Sequence, residues 1–362
     1  MDFSLSEEQA MIRGTLSRFI AKRYGANEHR AYRAEPLGYD ARNFATLAEL
    51  GLFALPFSEA SGGMGASLAD IAVLIESLGH GLVVEPVLSR VLLAGCLLDR
   101  VGSDAARAAW MEDIVLGHRS LALAHGESSG GEPLIVRAGR LTGAASYVLD
   151  ALGADGLAVI CRNEAGQLKL AVVEVGAPGV VMKPFRLADG SWAAEVVFDE
   201  AVIDELQLSD CPPHQLSRLI AEASVAASAE MVGIMQRLLD DTVAYVQTRR
   251  QFGQPIGKFQ AVQHRAARMF IAVEQSRSLL LKAVLTSPED AAWPLAVASC
   301  RAFIADAALD VAHDAVQLHG GIGITDEVAV SFGHRRLMVL RKLFGAASPL
   351  LVGTVTPALE AA

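Results

Sequence analysis

The chain has 362 residues, of which 52% are hydrophobic and 20% charged, and its formal net charge is −10. This composition excludes an intrinsically disordered protein, since such chains contain too little apolar surface to form a core. The acidic balance argues against a nucleic-acid partner, because neutralising a phosphate backbone requires a basic face. At roughly 150 residues per domain, the length predicts two or three domains.

Charged residues interrupt the most apolar stretches of the chain, for example Glu76, Glu85 and Arg90. A membrane-spanning helix needs about 20 mostly apolar residues in succession, so we expect no membrane span. The N-terminal segment MDFSLSEEQA is acidic and polar, unlike a signal or transit peptide. We therefore expect a cytoplasmic protein.

The sequence offers few candidate metal ligands. Its four cysteines are far apart and form no CxxC pair, so neither a zinc site nor a disulfide framework is predicted. Four polar residues recur on one predicted helix face: Asp310, His313, Asp314 and Gln317. Exposed polar faces are common on helices, so we predict no metal site.

Residues 1–119 have the periodicity of helices. Ser4 and Glu7 show the spacing of a capping box at the start of the first predicted helix. A second helix ends at Gly51, and a loop rich in small residues follows over 58–67. Leucine and isoleucine spacing then predicts further helices around 68–78 and 92–97. This region is predicted to be an N-terminal helical domain.

Residues 120–211 contain short β-rich runs separated by Gly, Asn and Pro. The runs are LALAH, LIVRA, SYVLDAL, GLAVICR, LKLAVVEV, VVMKPF and AAEVVF. Their spacing of about 10 residues predicts a small antiparallel barrel or sandwich. Helices do not alternate with the runs, which excludes a Rossmann domain, and neither GxGxxG nor GxSxG occurs.

Residues 212–362 return to helical periodicity. The pattern predicts a long helix that ends near Thr248, a second over 260–285, a third from Pro294 to Gly320, and a fourth after Thr325. Long helices in succession are typical of a bundle. The fold class is therefore predicted to be mostly α with a central β domain. We expect an N-terminal helical domain (1–119), a middle β domain (120–211) and a C-terminal four-helix bundle (212–362).

Two sequence strings in the bundle region suggest ligand binding. The string RRQFGQPIGKFQ (249–260) joins two predicted helices; its Arg249 could hold a diphosphate, and Phe252 could support a flat ring. The string QLHGGIGI (317–324) has glycines whose backbone N–H groups can approach an anion. A solvated loop and a helix cap, respectively, explain each string equally well when it is taken alone.

A third string, ELGLFALP (49–56), and the glycine loop that follows it complete a recognisable order of motifs. Over nearly the whole chain this order resembles the acyl-CoA dehydrogenase family, and most closely the small subunits of bacterial heteromeric enzymes such as pimeloyl-CoA dehydrogenase. The resemblance implies an FAD flavoprotein that converts an acyl-CoA to a trans-2-enoyl-CoA. It also implies an oligomer that passes its electrons to an electron-transfer flavoprotein.

The resemblance also implies roles for individual residues. In the family, a glutamate removes the α-proton of the acyl-CoA while a hydride moves from the β-carbon to flavin N5. RxxFG and QxxGG residues bind the ADP half of FAD in a neighbouring subunit. The matching residues here are Arg249, Gln251, Phe252, Gln260, Gln317, Leu318, Gly320 and Gly321. Tyr147 takes the place of an aromatic residue beside the isoalloxazine.

The sequence departs from the family where the chemistry occurs. Phe344 stands in the place of the usual glutamate, and Ala223 in that of an alternative base on the long helix; neither accepts a proton. The family's flavin-contacting loop is eroded over 124–131, and Leu149 lacks the hydroxyl found in the family. Glu230, two helical turns after Ala223, is a candidate displaced base. For Glu230 a polar contact between helices is the preferred interpretation.

The residues that match the family's ADP-binding motifs are thus present, whereas the catalytic base is missing. Three functional hypotheses follow from this asymmetry. The preferred one is a subunit that is inactive alone and joins a homologous large subunit carrying the catalytic glutamate. The second is a self-sufficient homo-oligomeric dehydrogenase with a displaced base. The third is a non-catalytic scaffold that retains the fold. The sequence does not determine the acyl-chain specificity.

Overall fold

The computed structural model of the protein describes residues 4–126 and 132–344. The chain folds into two compact units, each built from segments that are distant in sequence. The first unit contains residues up to Ala31, Leu68–Val83 and the residues from Ser224 onward. The second contains Tyr32–Ser67 and Val84–Ala223. The predicted domain boundaries at 119/120 and 211/212 remain a prediction.

The N-terminal region is helical, as predicted. Its helices are α1 (Glu7–Arg23), α2 (Ala26–Ala34), α3 (Ala41–Glu49), α4 (Leu68–His80), a π-helix (Val87–Gly95), α5 (Cys96–Val101) and α6 (Asp104–Val115). The capping box at the start of α1 is formed by Ser6 and Gln9. The prediction of Ser4 and Glu7 was wrong by two residues, because the extended backbone that precedes the helix lies at Ser6.

A mixed sheet in the second unit follows these helices. Its strands are β1 (Leu121–His125), β2 (Ile135–Arg137), β3 (Arg140–Leu149), β4 (Gly156–Arg162), β5 (Leu168–Glu174), β6 (Val180–Arg186), β7 (Trp192–Val202) and β8 (Leu208–Asp210). The strand order is β6-β7-β3-β2-β4-β5-β8, with β1 paired to β4.

The sheet departs from the purely antiparallel arrangement expected for a barrel or sandwich. Strand β4 pairs in parallel with both β1 and β2, and the strand order does not close into a barrel among the described residues. Parallel pairing needs a connection of a dozen or more residues, and the chain from β1 to β4 supplies one through β2 and β3. Ala, Val and Leu side chains from the strands form the core of this unit.

The C-terminal region, as far as residue 344, contains four α-helices, which confirms the predicted order of elements. They are α7 (Pro213–Thr248), α8 (Gln260–Leu285), α9 (Trp293–His319) and α10 (Ala329–Lys342). Short 3₁₀ turns precede α8 and follow α9, over Ile256–Lys258 and Gly320–Ile324.

Two glycines allow α4 and α7 to pack closely within the first unit. A Cβ at Gly79 would lie 2.3 Å from the carbonyl oxygen of Glu230, and a Cβ at Gly233 would lie 2.0 Å from that of Glu76. Any side chain at either position would therefore collide with the backbone of the other helix. Within the described part of the chain, no helix is both long and apolar enough to span a bilayer.

Candidate functional site

A tight hairpin joins α7 to α8 in the first unit. Its strands are β9 (Arg250–Gln251) and β10 (Gln254–Pro255). The two turn residues, Phe252 and Gly253, both have left-handed backbone, with φ of +49° and +77°. Positive φ at both central residues is the pattern of a type I′ turn, which matches the twist of a hairpin. Nη2 of Arg250 donates a 3.0 Å hydrogen bond to the carbonyl of Gly253 and so helps to fix this turn.

Phe252 is an unusual residue at the tip of this hairpin. A bulky side chain at positive φ is a backbone outlier, yet the side chain of Phe252 is 92% exposed. Its ring meets Phe259 edge-on, with centroids 6.1 Å apart. The backbone conformation of Phe252 is costly, and its exposed ring contributes little to the stability of the fold. Such outliers concentrate where a protein contacts a ligand or partner.

Arg249 begins the hairpin with a well-fixed backbone and an exposed side chain. Its N–H donates to the carbonyl of Tyr245 at 2.8 Å, and its own carbonyl accepts from Ile256 at 2.8 Å. Among the described residues, its guanidinium forms no ion pair or hydrogen bond. The side chains of Gln251 and Gln260 are exposed and equally without hydrogen-bond partners in the described chain.

The second string lies at the end of α9. Gly320 has φ of +68° and ψ of −146°, a backbone conformation that strongly favours glycine. Gly321 has no atom within 4 Å of the position that a Cβ would occupy. The fold therefore supplies no steric reason for glycine at 321, and its open backbone can admit a ligand. Gln317 is exposed beside these glycines, whereas Leu318 is buried.

A pair of stacked rings joins the two strings. The rings of Tyr245 and His319 lie 4.4 Å apart at an angle of 22°, and the Tyr245 hydroxyl donates to the carbonyl of His319 at 3.4 Å. Nδ1 of His319 lies 2.9 Å from the carbonyl of Ala315, so this nitrogen carries the proton and donates. Tyr245 precedes Arg249 by one helical turn, and His319 precedes Gly320. The contact therefore places the hairpin beside the glycine turn.

We call the exposed residues of this region the polar arm. They are Arg249, Gln251, Phe252, Gln260, Gln317, Gly320 and Gly321. The arm combines a guanidinium, three amides, an exposed ring and open glycine backbone. This donor set fits the ADP half of a dinucleotide, which has a diphosphate and a flat base. Sequence reasoning found the arm but missed Tyr245, whose spacing one turn before Arg249 was an available signal.

The remaining predicted cofactor residue, Tyr147, belongs to the second unit. It lies in β3 where the register with β7 shifts between Ala145 and Val148, a bulge that can redirect a side chain. Its side chain is 58% exposed, and its ring meets Phe185 edge-on at 5.6 Å. Most of the predicted flavin-contacting loop, residues 127–131, lies outside the described residues.

Neither residue that the sequence resemblance places at the position of the base can accept a proton. Phe344 lies two residues after the end of α10; its side chain is half-buried, and its φ is +64°. Ala223 is buried in α7.

Glu230 is held in an ion pair within the first unit. Its two carboxylate oxygens accept from Nε and Nη2 of Arg336 at 2.6 and 3.2 Å. The side chain of Glu230 is only 9% exposed and that of Arg336 24% exposed. The structure therefore shows the polar contact between helices, α7 to α10, that the sequence favoured. A carboxylate bound on both oxygens by a guanidinium is poorly suited to abstract a proton.

The polar face of α9 forms ion pairs and a ring contact. Asp314 pairs with Arg265 and, at 3.5 Å, with Arg268. The His313 ring lies 5.4 Å from that of His334. No cluster of three or more metal-ligating side chains occurs in the described ranges. The cysteines are buried thiols, and burial raises the pKa of Cys161 to about 12.

Comparison with known proteins identifies the fold. Residues 6–118 match the acyl-CoA dehydrogenase N-terminal domain, and residues 216–348 match the acyl-CoA dehydrogenase C-terminal domain. The chain is 30% identical over 323 residues to the acyl-CoA dehydrogenase IpdE2 of Mycobacterium tuberculosis, covering 89% of this chain and 88% of IpdE2.

Solved structures show the same architecture. A chain of the ChsE4–ChsE5 complex from Mycobacterium tuberculosis superposes with a TM-score of 0.91 and 26% identity, covering 99% of both chains. An FAD complex of PigA has the same fold, with a TM-score of 0.86, 23% identity, and coverage of 98% of this chain and 99% of PigA. The chain therefore belongs to the acyl-CoA dehydrogenase family of FAD-dependent oxidoreductases, which act on the CH–CH bond of acyl-CoA.

Proposed function

We propose that this chain is one subunit of a heteromeric acyl-CoA dehydrogenase that forms a trans-2-enoyl-CoA. A homologous large subunit supplies the catalytic glutamate, and the polar arm of this chain binds the ADP half of that partner's FAD. One asymmetry carries the proposal: the arm is exposed, whereas Phe344 and Ala223 offer no proton acceptor. The isolated chain is accordingly inactive.

Each part of the arm has a role in this assembly. FAD, when bound, would supply the acceptor for the hydride that leaves the acyl β-carbon. Arg249 neutralises the diphosphate through charge-assisted hydrogen bonds. Phe252 covers a face of the flat base, and the open backbone at Gly321 donates to an anionic oxygen. Gln251, Gln260 and Gln317 supply the remaining donors and acceptors.

The proposal also includes the partner subunit, the electron acceptor, the substrate, the compartment and the oligomeric state. The similarity to a chain of the ChsE4–ChsE5 complex supports assembly with a homologous large subunit. An electron-transfer flavoprotein is the expected electron acceptor, acyl-CoA the substrate and the cytoplasm the compartment. We expect a dimer or tetramer that assembles through the C-terminal helices, because exposed apolar side chains such as Phe270, Ile271 and Phe303 lie on α8 and α9.

A self-sufficient homo-oligomer is the second candidate, with Glu230 as the displaced base. The ion pair with Arg336 argues against it, since proton abstraction would require that pair to separate. A non-catalytic scaffold, the third candidate, gives no reason for an exposed polar arm.

Flavin content distinguishes the three candidates. The chain is purified alone and together with a co-expressed homologous large subunit, and flavin absorbance and acyl-CoA oxidation are measured for both. We expect a colourless, inactive chain and a yellow, active complex. A yellow chain that turns over alone would favour the homo-oligomer, and a colourless complex would favour the scaffold.

Arg249→Ala tests the arm directly. A charge-assisted hydrogen bond contributes roughly 1.5–3 kcal/mol, so FAD affinity of the complex should fall about 10–100-fold. Arg237→Ala is the matched control, since Arg237 lies on α7, which ends directly before Arg249, and pairs with Asp241 at 2.8 Å. Unchanged flavin content in the Arg249→Ala complex would show that the arm does not bind the diphosphate.

A further inference from the structure

Arg301 is a buried cation in the first half of α9. Its exposure is only 1%, and no carboxylate pairs with it among the described residues. Nη2 instead donates to three backbone carbonyls at the end of α10: Leu340 at 2.7 Å, Arg341 at 3.1 Å and Leu343 at 2.6 Å. A fully buried charge that binds only backbone oxygens and the Met231 sulfur is an uncommon arrangement.

The chemistry of a helix end explains why α10 can hold this cation. The last carbonyls of a helix lack intrahelical partners, and they carry the negative end of the helix dipole. Arg301 supplies hydrogen bonds to these oxygens from a neighbouring helix. Burial lowers its pKa to about 10, so the guanidinium stays charged at neutral pH. The cation and the helix end therefore neutralise one another without a carboxylate.

We call the hydrogen bonds from Arg301 to the carbonyls of Leu340, Arg341 and Leu343 the clamp. The clamp lies directly before a residue with a strained backbone. Helix α10 ends at Lys342, Leu343 is extended, and Phe344 then adopts φ of +64°. A bulky residue in this conformation persists only where its surroundings hold it. The bond from Arg301 to the Leu343 carbonyl constrains the residue directly before Phe344.

We propose that Arg301 is a positioning residue that fixes the turn at Leu343 and thereby presents Phe344 in its left-handed conformation. This inference rests on the proposed function, in which Phe344 stands in the place of the family's catalytic glutamate. Arg301 acts through the backbone of the turn and does not contact the substrate. The same clamp would orient whatever side chain occupies position 344.

The clamp is tested in the full-length chain with 4-fluorophenylalanine in place of Phe344, observed by fluorine NMR. Arg301→Met removes the donors but keeps an apolar chain of similar length, and Arg301→Lys restores a cation. Arg341→Met is the matched control, because Arg341 belongs to the same helix end but pairs with Asp306 at 2.8 Å. Hydrogen exchange across α10 reports whether the rest of the helix stays folded.

We expect one fluorine resonance in the parent chain and in Arg341→Met. In Arg301→Met the resonance should shift and broaden, with faster exchange confined to the last turn of α10, and Arg301→Lys should restore it in part. An unchanged resonance in Arg301→Met would overturn the clamp. Should Arg301→Met fail to fold, the Arg301→Lys spectrum decides, because the lysine side chain is shorter and lacks the planar guanidinium fork, so it should not reach all three carbonyls in the same way; a spectrum identical to that of the parent chain then overturns the clamp.

Octanoyl-CoA tests the positioning role in the assembled complex. We expect octanoyl-CoA that binds beside residue 344, where the family resemblance places the acyl chain, to move the fluorine resonance, and to move it less in Arg301→Met. Arg341→Met should bind octanoyl-CoA like the parent complex. A resonance that octanoyl-CoA leaves unmoved would overturn the positioning role. That outcome is separable from failure of the heteromeric assignment, which the flavin content reports.

Discussion

Replacement of Glu230 separates a structural carboxylate from a displaced catalytic base. Breaking a buried ion pair by removing one partner costs about 3–5 kcal/mol. The Arg336 side chain is still 24% exposed, so water compensates part of this loss. We therefore expect Glu230→Ala to lower the free energy of unfolding by about 2–3 kcal/mol. Glu230→Gln should cost only about 1 kcal/mol, because its amide oxygen still accepts from Arg336.

Urea unfolding of the isolated chain and acyl-CoA oxidation by the complex are measured for each variant. A structural role predicts reduced stability and nearly unchanged turnover in Glu230→Gln. A catalytic base predicts the reverse, with turnover reduced about 10²–10⁴-fold. Glu222→Gln is the matched control on α7, since Glu222 pairs with Arg100 and, at 3.0 Å, with Arg218. Loss of turnover with intact stability in Glu230→Gln alone would refute our assignment of Glu230.

Three further predictions concern the arm, the base position and pH. Phe252→Asn places a residue suited to a type I′ turn in the hairpin, so the isolated chain should gain up to about 1 kcal/mol of stability in urea unfolding. Flavin absorbance of its complex should nevertheless fall, and unchanged flavin would remove Phe252 from the site. Phe344→Glu should leave the isolated chain nearly inactive in an acyl-CoA oxidation assay, as should the parent chain; robust oxidation by the parent would contradict the proposal. Burial, then the charges of His313 and Arg335, lower the pKa of His334 below 6.5, so the neutral ring favours the folded state. This stability is lost as the pH falls below about 6.5, and His334→Asn should flatten that acid dependence in urea unfolding.

Local patterns determined most of the secondary structure. Apolar residues at helical spacing predicted α8 over the range observed, and alternation with turn residues predicted the strands β1 to β7. The order of the motifs along the chain was enough to predict the family. These properties depend on residues close together in sequence, which is why the sequence alone specified them.

The three-dimensional structure decided what depends on distant residues. Parallel pairing of β1 with β4 joins segments separated by a long connection, and no periodicity reports it. The partner of Glu230 lies 106 positions away, so sequence could only favour a contact without naming Arg336.

Arg301 shows most clearly what could not be predicted from the sequence. In sequence it is one arginine in an apolar helix, and such a residue gives no sign of its acceptors. Only the packing of α9 against the end of α10 places its guanidinium on the carbonyls before Phe344. Sequence thus determined which groups this protein possesses, because composition and spacing are local properties. Tertiary structure decided which of them meet, because burial and hydrogen bonding depend on chain segments that only folding brings together.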